Sequence, residues 1–216
     1  MITYREEIDL TTNMKKGKLV VIEGGLGCGK TTQIELLKKD LKKWSFYREP
    51  GSTEYGEKVR DAVQGLHNYP VEEHAAMFGY SAARANLIRG VVIPELKKGK
   101  NVLLDRYWYS TYAYQGSNGA SKKVIEIVSE IATDSLKPDL IIFYDLDPKT
   151  GMERKSGHKD SDRYDVKEIS FHKKVRRSYK ELGKKLGRRW QEVDASSSID
   201  EIHAKTITLL KRYNII

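Results

Sequence analysis

Cysteine is almost absent from this sequence, which holds a single one, Cys28, among 216 residues. One cysteine cannot form an internal disulfide and excludes a zinc site built from cysteines. Long apolar runs are missing as well, since none approaches the roughly 20 residues that a membrane-spanning helix needs. The first 14 residues mix charged and apolar types without the apolar centre of a signal peptide. We therefore expect a cytoplasmic protein that is not associated with a membrane.

Stretches rich in proline or glycine, internal repeats and low-complexity tracts are also lacking. Nothing in the composition divides the chain, and its length suits one compact domain better than two. We expect a single domain over residues 1–216, with residues 1–13 as an N-terminal extension. The net charge of +9 favours polyanionic partners, either nucleic acid or nucleotide phosphates, and charge alone does not choose between them.

Apolar, β-rich runs alternate with segments of helical periodicity along the chain. The runs that predict buried strands are residues 19–22, the region of Phe46, residues 102–104, residues 140–143 and the region of Val193. The helical patterns are Ile34, Leu37, Leu41 and Trp44, then residues 124–131, and then a long charged segment over residues 165–189. This alternation predicts an α/β fold, with a mostly parallel sheet, helices on both faces and ligands at the carboxyl ends of the strands.

A glycine-rich phosphate-binding motif (P-loop) follows the first predicted strand and leads into a predicted helix. Its backbone N–H groups and the helix N-terminus are suited to surround phosphate oxygens. Lys30 is expected to reach the β and γ phosphates of a nucleoside triphosphate, and the Thr31 hydroxyl to bind magnesium. The candidate ATP-binding residues are Gly24, Gly25, Leu26, Gly27, Cys28, Gly29, Lys30, Thr31 and Thr32.

P-loops occur in motors, switches, helicases and small-molecule kinases, so further motifs are needed to name the reaction. They follow in order along nearly the whole chain: REPGST at 48–53, Gly56-Glu57 with Arg60, YSAAR at 80–84, DRY at 105–107, STYAYQG at 110–116, DLDP at 145–148, DRY at 162–164 and VDA at 193–195. Together they resemble the thymidylate kinase family. The resemblance implies a three-layer P-loop fold with a five-stranded sheet and a short mobile lid, and a homodimer that binds no nucleic acid. The implied reaction is Mg²⁺-dependent transfer of the γ-phosphate of ATP to dTMP, for dTTP synthesis.

The resemblance also assigns roles around the acceptor nucleotide. Arg48 and Arg106 would hold its 5′-phosphate, where a guanidinium can bind two oxygens at once. Tyr80 would stack on the thymine and Arg84, one helical turn later, would bond its edge. Ser110 and Thr111 would contact the pyrimidine, and Tyr114 would disfavour a ribose 2′-hydroxyl, although an aromatic residue in a helix also suits the core.

Two further assignments concern the metal and the lid. Asp105 ends a predicted strand, as an acidic ligand for magnesium does in P-loop enzymes, although it could instead cap a helix. Residues 154–163 are expected to form the lid over ATP, with Arg154 as its catalytic residue. Gly27 and the spacing from Gly151 to Asp162 are similar to the bacterial type of the family.

One position departs from the family pattern. Leu26 stands where the family usually has Asp or Glu, which accepts a bond from the sugar 3′-hydroxyl. Loss of this bond would weaken acceptor binding, so a kinase acting on dUMP or on several monophosphates stays open. Two other classes stay open too: a DNA-binding P-loop ATPase that uses the lysine-rich helices, and a nucleotide-binding regulator without catalysis. Cys28, at a helix N-terminus, is either redox-sensitive or a small loop filler.

Overall fold

The protein, a computed structural model, is described over residues 16–156 and 162–216. Within these ranges five strands form one parallel sheet. They are β1 (Leu19–Gly24), β2 (Ser45–Arg48), β3 (Val102–Asp105), β4 (Leu140–Asp145) and β5 (Trp190–Asp194). The predicted N-terminal extension and the centre of the predicted lid, residues 157–161, lie outside the described residues.

The sheet order is β2-β3-β1-β4-β5, which puts the strand before the P-loop at the centre. Val21 of β1 is in register with Leu104 on one side and Ile141 on the other. Because all pairs are parallel, every strand ends at the same edge of the sheet. The predicted parallel α/β fold is confirmed, and the loops after the strands lie side by side.

The helices in the described ranges lie between successive strands, except the last, which follows β5. They are α1 (Lys30–Asp40), α2 (Glu54–Gln64), α3 (Glu73–Leu87), α4 (Ile93–Lys97), α5 (Trp108–Ser117), α6 (Lys122–Thr133), α7 (Pro148–Lys155), α8 (Ile169–Leu186) and α9 (Ile199–Arg212). A π-helical turn, Ile88–Val92, joins α3 to α4, and a 3₁₀ turn, Gly187–Arg189, precedes β5. No helix in the described part of the chain is long and apolar enough to cross a membrane.

Alternating side chains of the strands build a core on each face of the sheet. Leu19 and Val21 face a cluster that includes Met77 of α3 and Val175 of α8. Val20 and Ile22 face the opposite cluster, with Ile34 of α1 and the apolar face of α9. The three central strands β1, β3 and β4 are nearly continuous apolar runs because helices cover both of their faces, whereas the edge strands β2 and β5 are mixed in composition and only partly buried.

Two helices are shorter than their sequence patterns. The first pattern runs to Trp44, but α1 ends at Asp40 because Leu41 leaves helical geometry with a φ of −104° and a ψ of 52°. The charged segment starts at 165, but α8 begins only at Ile169, after a turn in which Asp162 accepts bonds from the N–H groups of Tyr164 and Asp165. Local turn bonds therefore replace the first helical turn.

Candidate active site

An open cleft of about 1140 Å³ lies at the carboxyl edge of the sheet. The P-loop forms its floor, and the loops after β2 and β3 form one wall. Residues after β4 and β5 form the other wall. Most of the residues that the sequence predicts for the site line this cleft. They are residues 25–32, Arg48, Tyr80, Arg84, Asp105, Arg106, Ser110, Thr111, Tyr114 and Arg154.

The P-loop crosses from β1 into α1 in a conformation that depends on two glycines. Gly27 and Gly29 have φ values of 65° and 82°, in the left-handed region that favours glycine. A Cβ on Gly27 would also lie 2.2 Å from the carbonyl oxygen of Gly151 in α7. The loop is thus in backbone contact with α7. No side chain caps the N-terminus of α1, so its first N–H groups are left for an anion.

Lys30 and Thr31 stand in the first turn of α1, directly after the loop. Lys30 is buried, with 9% of its surface exposed, whereas Thr31 is exposed to the cleft. Gly24 is the one member of the predicted ATP-binding set that does not line the cleft. Its carbonyl oxygen accepts a bond from Arg106 Nη1 at 3.1 Å instead.

Three guanidinium groups converge in the cleft beside the P-loop. Arg48 Nη2 donates to both carboxylate oxygens of Glu57, at 3.0 and 3.1 Å. Arg60 of α2 donates to the Pro50 carbonyl at 3.3 Å, and Arg106 completes the group. Burial, followed by repulsion from Arg48 and Arg106, lowers the pKa of Arg60. The cleft therefore concentrates positive charge where an anion would relieve the repulsion.

Arg106 is held by a buried network that the sequence motifs do not reveal. It has a φ of 73°, and its Nη1 donates to Ser110 Oγ at 3.0 Å and to Tyr179 OH at 3.3 Å. Beneath it, fully buried Glu23 accepts bonds from the Tyr107 N–H, the Ser110 hydroxyl and the Tyr179 hydroxyl. Burial raises the pKa of Glu23, and Arg106 opposes this rise. The Ser110 hydroxyl thus accepts a bond from Arg106 and donates one to Glu23.

The side chains predicted to bind the base lie on α3 and α5. Tyr80 and Arg84 are buried on one face of α3, and Arg84 Nη2 donates to Thr111 Oγ1 at 3.2 Å. Arg84 Nε donates to Glu49 Oε2 at 2.5 Å. Burial raises the pKa of Glu49 to about 7, although Arg84 opposes the shift. The site thus places the aromatic ring of Tyr80 on the same helix face as the guanidinium of Arg84, which Glu49 and Thr111 hold in position.

The comparisons with known proteins agree with this geometry. A family model described as thymidylate kinase matches residues 22–206. The thymidylate kinase of Thermoanaerobacter sp. (strain X514) is 39% identical over 205 residues, covering 92% of this chain and 99% of the relative. That of Clostridium novyi (strain NT) is 32% identical over 205 residues, covering 92% and 100%.

The chain belongs to the thymidylate kinase family. Two roles were predicted for Tyr114, packing in the core and exclusion of a ribose 2′-hydroxyl, and its position is compatible with each. Its ring packs against Tyr164, Phe171 and Tyr179 with centroid distances of 5.8 to 6.4 Å. Arg106 lies over the ring at 5.4 Å, and burial raises the pKa of Tyr114 to about 12. Tyr114 is a core residue that also lines the cleft.

The residues for the metal of a thymidylate kinase fit a magnesium ion that is bound mainly through phosphates. Asp105 Oδ1 is buried without a hydrogen-bond partner among the described residues, and it lines the same cleft as Thr31. The described ranges hold no group of three His, Cys, Asp or Glu side chains placed for a metal. Two oxygen ligands suit Mg²⁺, which keeps several waters and takes the rest from substrate phosphates.

The ends of the predicted lid have separate attachments. Arg154 Nη1 donates to the Ala195 carbonyl at 2.9 Å, on the side of β5. Arg163 donates to the Val71 carbonyl at 2.6 Å and to Glu73 at 2.9 Å, so it binds the start of α3. Of the predicted lid, residues 157–161 lie outside the described part.

The surroundings of Cys28 and Leu26, two residues of the P-loop, bear on the roles that the sequence left open. Cys28 is 1% exposed within the core beside α1, and a Cβ on Gly24 would lie 2.4 Å from its sulfur. This burial favours the loop-filler interpretation over a redox role. Leu26 is half-buried, and its carbonyl oxygen lies 2.2 Å from a Cβ built on Gly151.

Proposed function

We propose that this protein transfers the γ-phosphate of ATP to the 5′-phosphate of dTMP, giving ADP and dTDP. The observation that supports the proposal best is the convergence of the P-loop, Lys30 and three arginines in one cleft. An NTP-binding loop alone would fit many P-loop proteins, whereas a second cationic site opposite it fits a phosphorylated acceptor.

The chain's own residues position the two phosphates and neutralise their charge. The P-loop N–H groups and Lys30 hold the donor, and Arg48 and Arg106 hold the acceptor phosphate. An acceptor phosphate oxygen attacks the γ-phosphorus, and the bond from that phosphorus to the bridging oxygen of ADP breaks. The acceptor oxygen is anionic near neutral pH, so no proton has to be removed first.

Thr31 and Asp105 would hold Mg²⁺, which supplies charge neutralisation on the donor phosphates when bound. Arg154 is proposed as the lid residue that assists the transferred phosphate. Its bond to the Ala195 carbonyl must then be exchanged for one to the donor. The chain forms one domain with this short lid.

Tyr80 stacks on the base of the acceptor and Arg84 bonds its edge. Thr111 contributes by binding Arg84. Tyr114, which aromatic rings and Arg106 surround, is proposed to disfavour a ribose 2′-hydroxyl, as the family resemblance implies. The proposed acceptor is accordingly a deoxyribonucleotide. The relatives named above are thymidylate kinases, which supports dTMP as that acceptor.

The test is ADP formation from ATP and magnesium with dTMP, dUMP, UMP, CMP, AMP or GMP, and with single- or double-stranded DNA in separate reactions. We expect turnover with dTMP to exceed that with every other acceptor, and to be lost in Lys30→Ala and Arg48→Ala. Turnover stimulated only by DNA would identify an ATPase of another class. ATP binding without any turnover would identify a regulator.

We also propose that the protein acts as a homodimer in the cytoplasm. α3 lies beside α6, and these helices expose Phe78, Val124, Ile127 and Ile131. Ile127 and Ile131 are 52% and 67% exposed on one face of α6. An apolar face of this kind is typical of a subunit interface, and the family resemblance implies a second copy as the occupant.

The dimer is tested by analytical ultracentrifugation of the wild-type chain and of the double variant Ile127→Glu/Ile131→Glu. The wild type should sediment as a dimer and the double variant as a monomer, because two charges would be buried in the interface. Val166→Glu, at a residue that is 64% exposed on another surface, is the control and should stay dimeric. A monomeric wild type would contradict the proposal.

A further inference from the structure

Glu49 is a buried carboxylate in the wall of the cleft, directly after the arginine that ends β2. Its N–H donates to the Asp105 carbonyl at 2.9 Å, so its main chain is tied to the end of β3. The side chain of Arg48 extends to Glu57 on α2, whereas that of Glu49 extends to Arg84 on α3. Successive residues thus serve different ends of the acceptor site.

The contact between Glu49 and Arg84 is close and almost fully shielded from water. The two residues are 2% and 3% exposed, and Oε2 accepts from Nε at 2.5 Å. Thr111 Oγ1 accepts from Nη2 at 3.2 Å. Two of the three guanidinium nitrogens are therefore fixed, and their partners come from two different parts of the chain.

The third guanidinium nitrogen, Nη1, is buried and has no hydrogen-bond partner among the described residues. A buried N–H of a charged group is costly to leave unpaired. Arg84 lines the cleft, so an acceptor group on a ligand can satisfy this nitrogen once it enters. The carbonyl at position 4 of thymine or uracil is such an acceptor, whereas cytosine carries an amino group there.

We propose that Glu49 is a positioning residue that orients Arg84 toward this carbonyl and so determines the choice of pyrimidine. The inference rests on the proposed function for the identity of the acceptor. Arginine has many rotamers, and the bond from Nε is the one that fixes the plane of the guanidinium. Without the bond to Glu49, Arg84 keeps its charge, but the orientation of its guanidinium plane is no longer fixed.

This role differs from simple compensation of a buried charge. Any carboxylate nearby would compensate the charge of Arg84, but only one of the right length would hold Nε in place. Glu49→Asp keeps the charge and withdraws the oxygens by one methylene. Glu49→Gln keeps the length and an oxygen that can accept from Nε, but the charge-assisted bond becomes a weaker bond to a neutral acceptor. Both variants should therefore lose discrimination between thymine and cytosine, because each weakens the bond that orients Arg84.

The experiment measures Kd for dTMP and dCMP by calorimetry, together with kcat and KM for each, in the wild type, Glu49→Gln, Glu49→Asp, Arg84→Met and the double variant Glu49→Gln/Arg84→Met. We expect the preference for dTMP to fall about tenfold or more in each Glu49 variant, through dTMP binding and KM rather than kcat. In the Arg84→Met background, Glu49→Gln should change the preference less than about twofold.

Asp139→Asn is the control, because Asp139 pairs with Lys18 at 2.8 Å in a half-buried ion pair that does not line the cleft. It should keep the wild-type preference. Full discrimination in both Glu49 variants would overturn the proposal, and so would losses that add in the double variant. The Kd ratio separates this result from the proposed function, because it is measured whether or not the wild type turns dTMP over.

Discussion

At the scale of single residues, the cleft gathers like charges that the free protein must tolerate. Arg48, Arg60 and Arg106 repel one another, and this repulsion contributes to the lowered pKa of Arg60. Such an arrangement opposes folding and favours anion binding, because a phosphate removes the repulsion. Arg60 was part of a sequence motif without an assigned role, and the structure places it in the cleft wall.

Arg60→Met is therefore expected to have opposite effects on stability and on acceptor binding. The free variant should melt slightly above the wild type, because one of three repelling charges is gone. KM for dTMP should rise about tenfold with little change in KM for ATP, since one charge-assisted contact is lost. Thermal melts and steady-state kinetics measure both effects.

The control for this variant is Arg177→Met, at an exposed residue of α8 outside the cleft. It should leave both Michaelis constants unchanged. If Arg60→Met kept the wild-type KM for dTMP, Arg60 would not contribute to the acceptor site.

At the scale of elements, the P-loop and α7, the helix that leads into the predicted lid, share a backbone contact. A Cβ on Gly151 would lie 2.2 Å from the Leu26 carbonyl oxygen, closer than real Cβ contacts allow. The atoms that this Cβ would meet belong to the backbone of Leu26 and not to a flexible side chain, so a side chain at position 151 would force the P-loop or α7 to shift. The position of α7 is thus determined by two glycines on opposite sides of one contact.

Gly151→Ala should displace α7 from the P-loop and raise KM for ATP about tenfold, with a loss of about 1–3 kcal/mol in the free energy of unfolding from overpacking. Urea denaturation and steady-state kinetics check these values. Gly90→Ala is the control, because a Cβ there meets nothing within 4 Å. Unchanged ATP kinetics in Gly151→Ala would show that the contact can relax without cost to the site.

The elements that the sequence predicted best are those whose signal is local. The three central strands are apolar runs because helices cover both faces of the sheet, and the P-loop glycines lie close together in the chain. Glu23 and Tyr179 gave no comparable signal, and Glu49 stood in a motif without an assigned role. Glu49 meets Arg84 across 35 residues, and Tyr179 reaches Glu23 across 156. Only the packing of α3 and α8 on the sheet makes these pairs.

At the scale of the whole molecule, stability should depend on pH through His172. His172 is 4% exposed in α8, and burial lowers its pKa from the ordinary 6.5, although Asp165 and Asp162 oppose the shift. The unfolded chain therefore binds a proton at a higher pH than the folded chain does. The stability that neutral His172 contributes is present above the unfolded pKa and is lost as the pH falls below it.

On acidification from pH 7.5 to pH 5.5, the free energy of unfolding of the wild type should therefore fall relative to that of His172→Gln, which cannot take up the proton. The comparison of the two proteins is needed because Glu49, whose pKa burial raises to about 7, takes up a proton in the folded state over the same range and acts in the opposite sense in both. Urea titrations of both proteins at the two pH values measure the difference. An equal change in the two proteins would assign the effect to other groups.

The order of the strands also has a directional consequence for the proposed reaction. Residues that follow β2 and β3 are those proposed to bind the acceptor, and residues near the end of β5, with α7, lie on the opposite wall. β1 and the P-loop lie between them. In the proposed reaction the two nucleotides would therefore approach from opposite flanks of the central strand, and the phosphoryl group would move along the edge of the sheet toward β3 and β2.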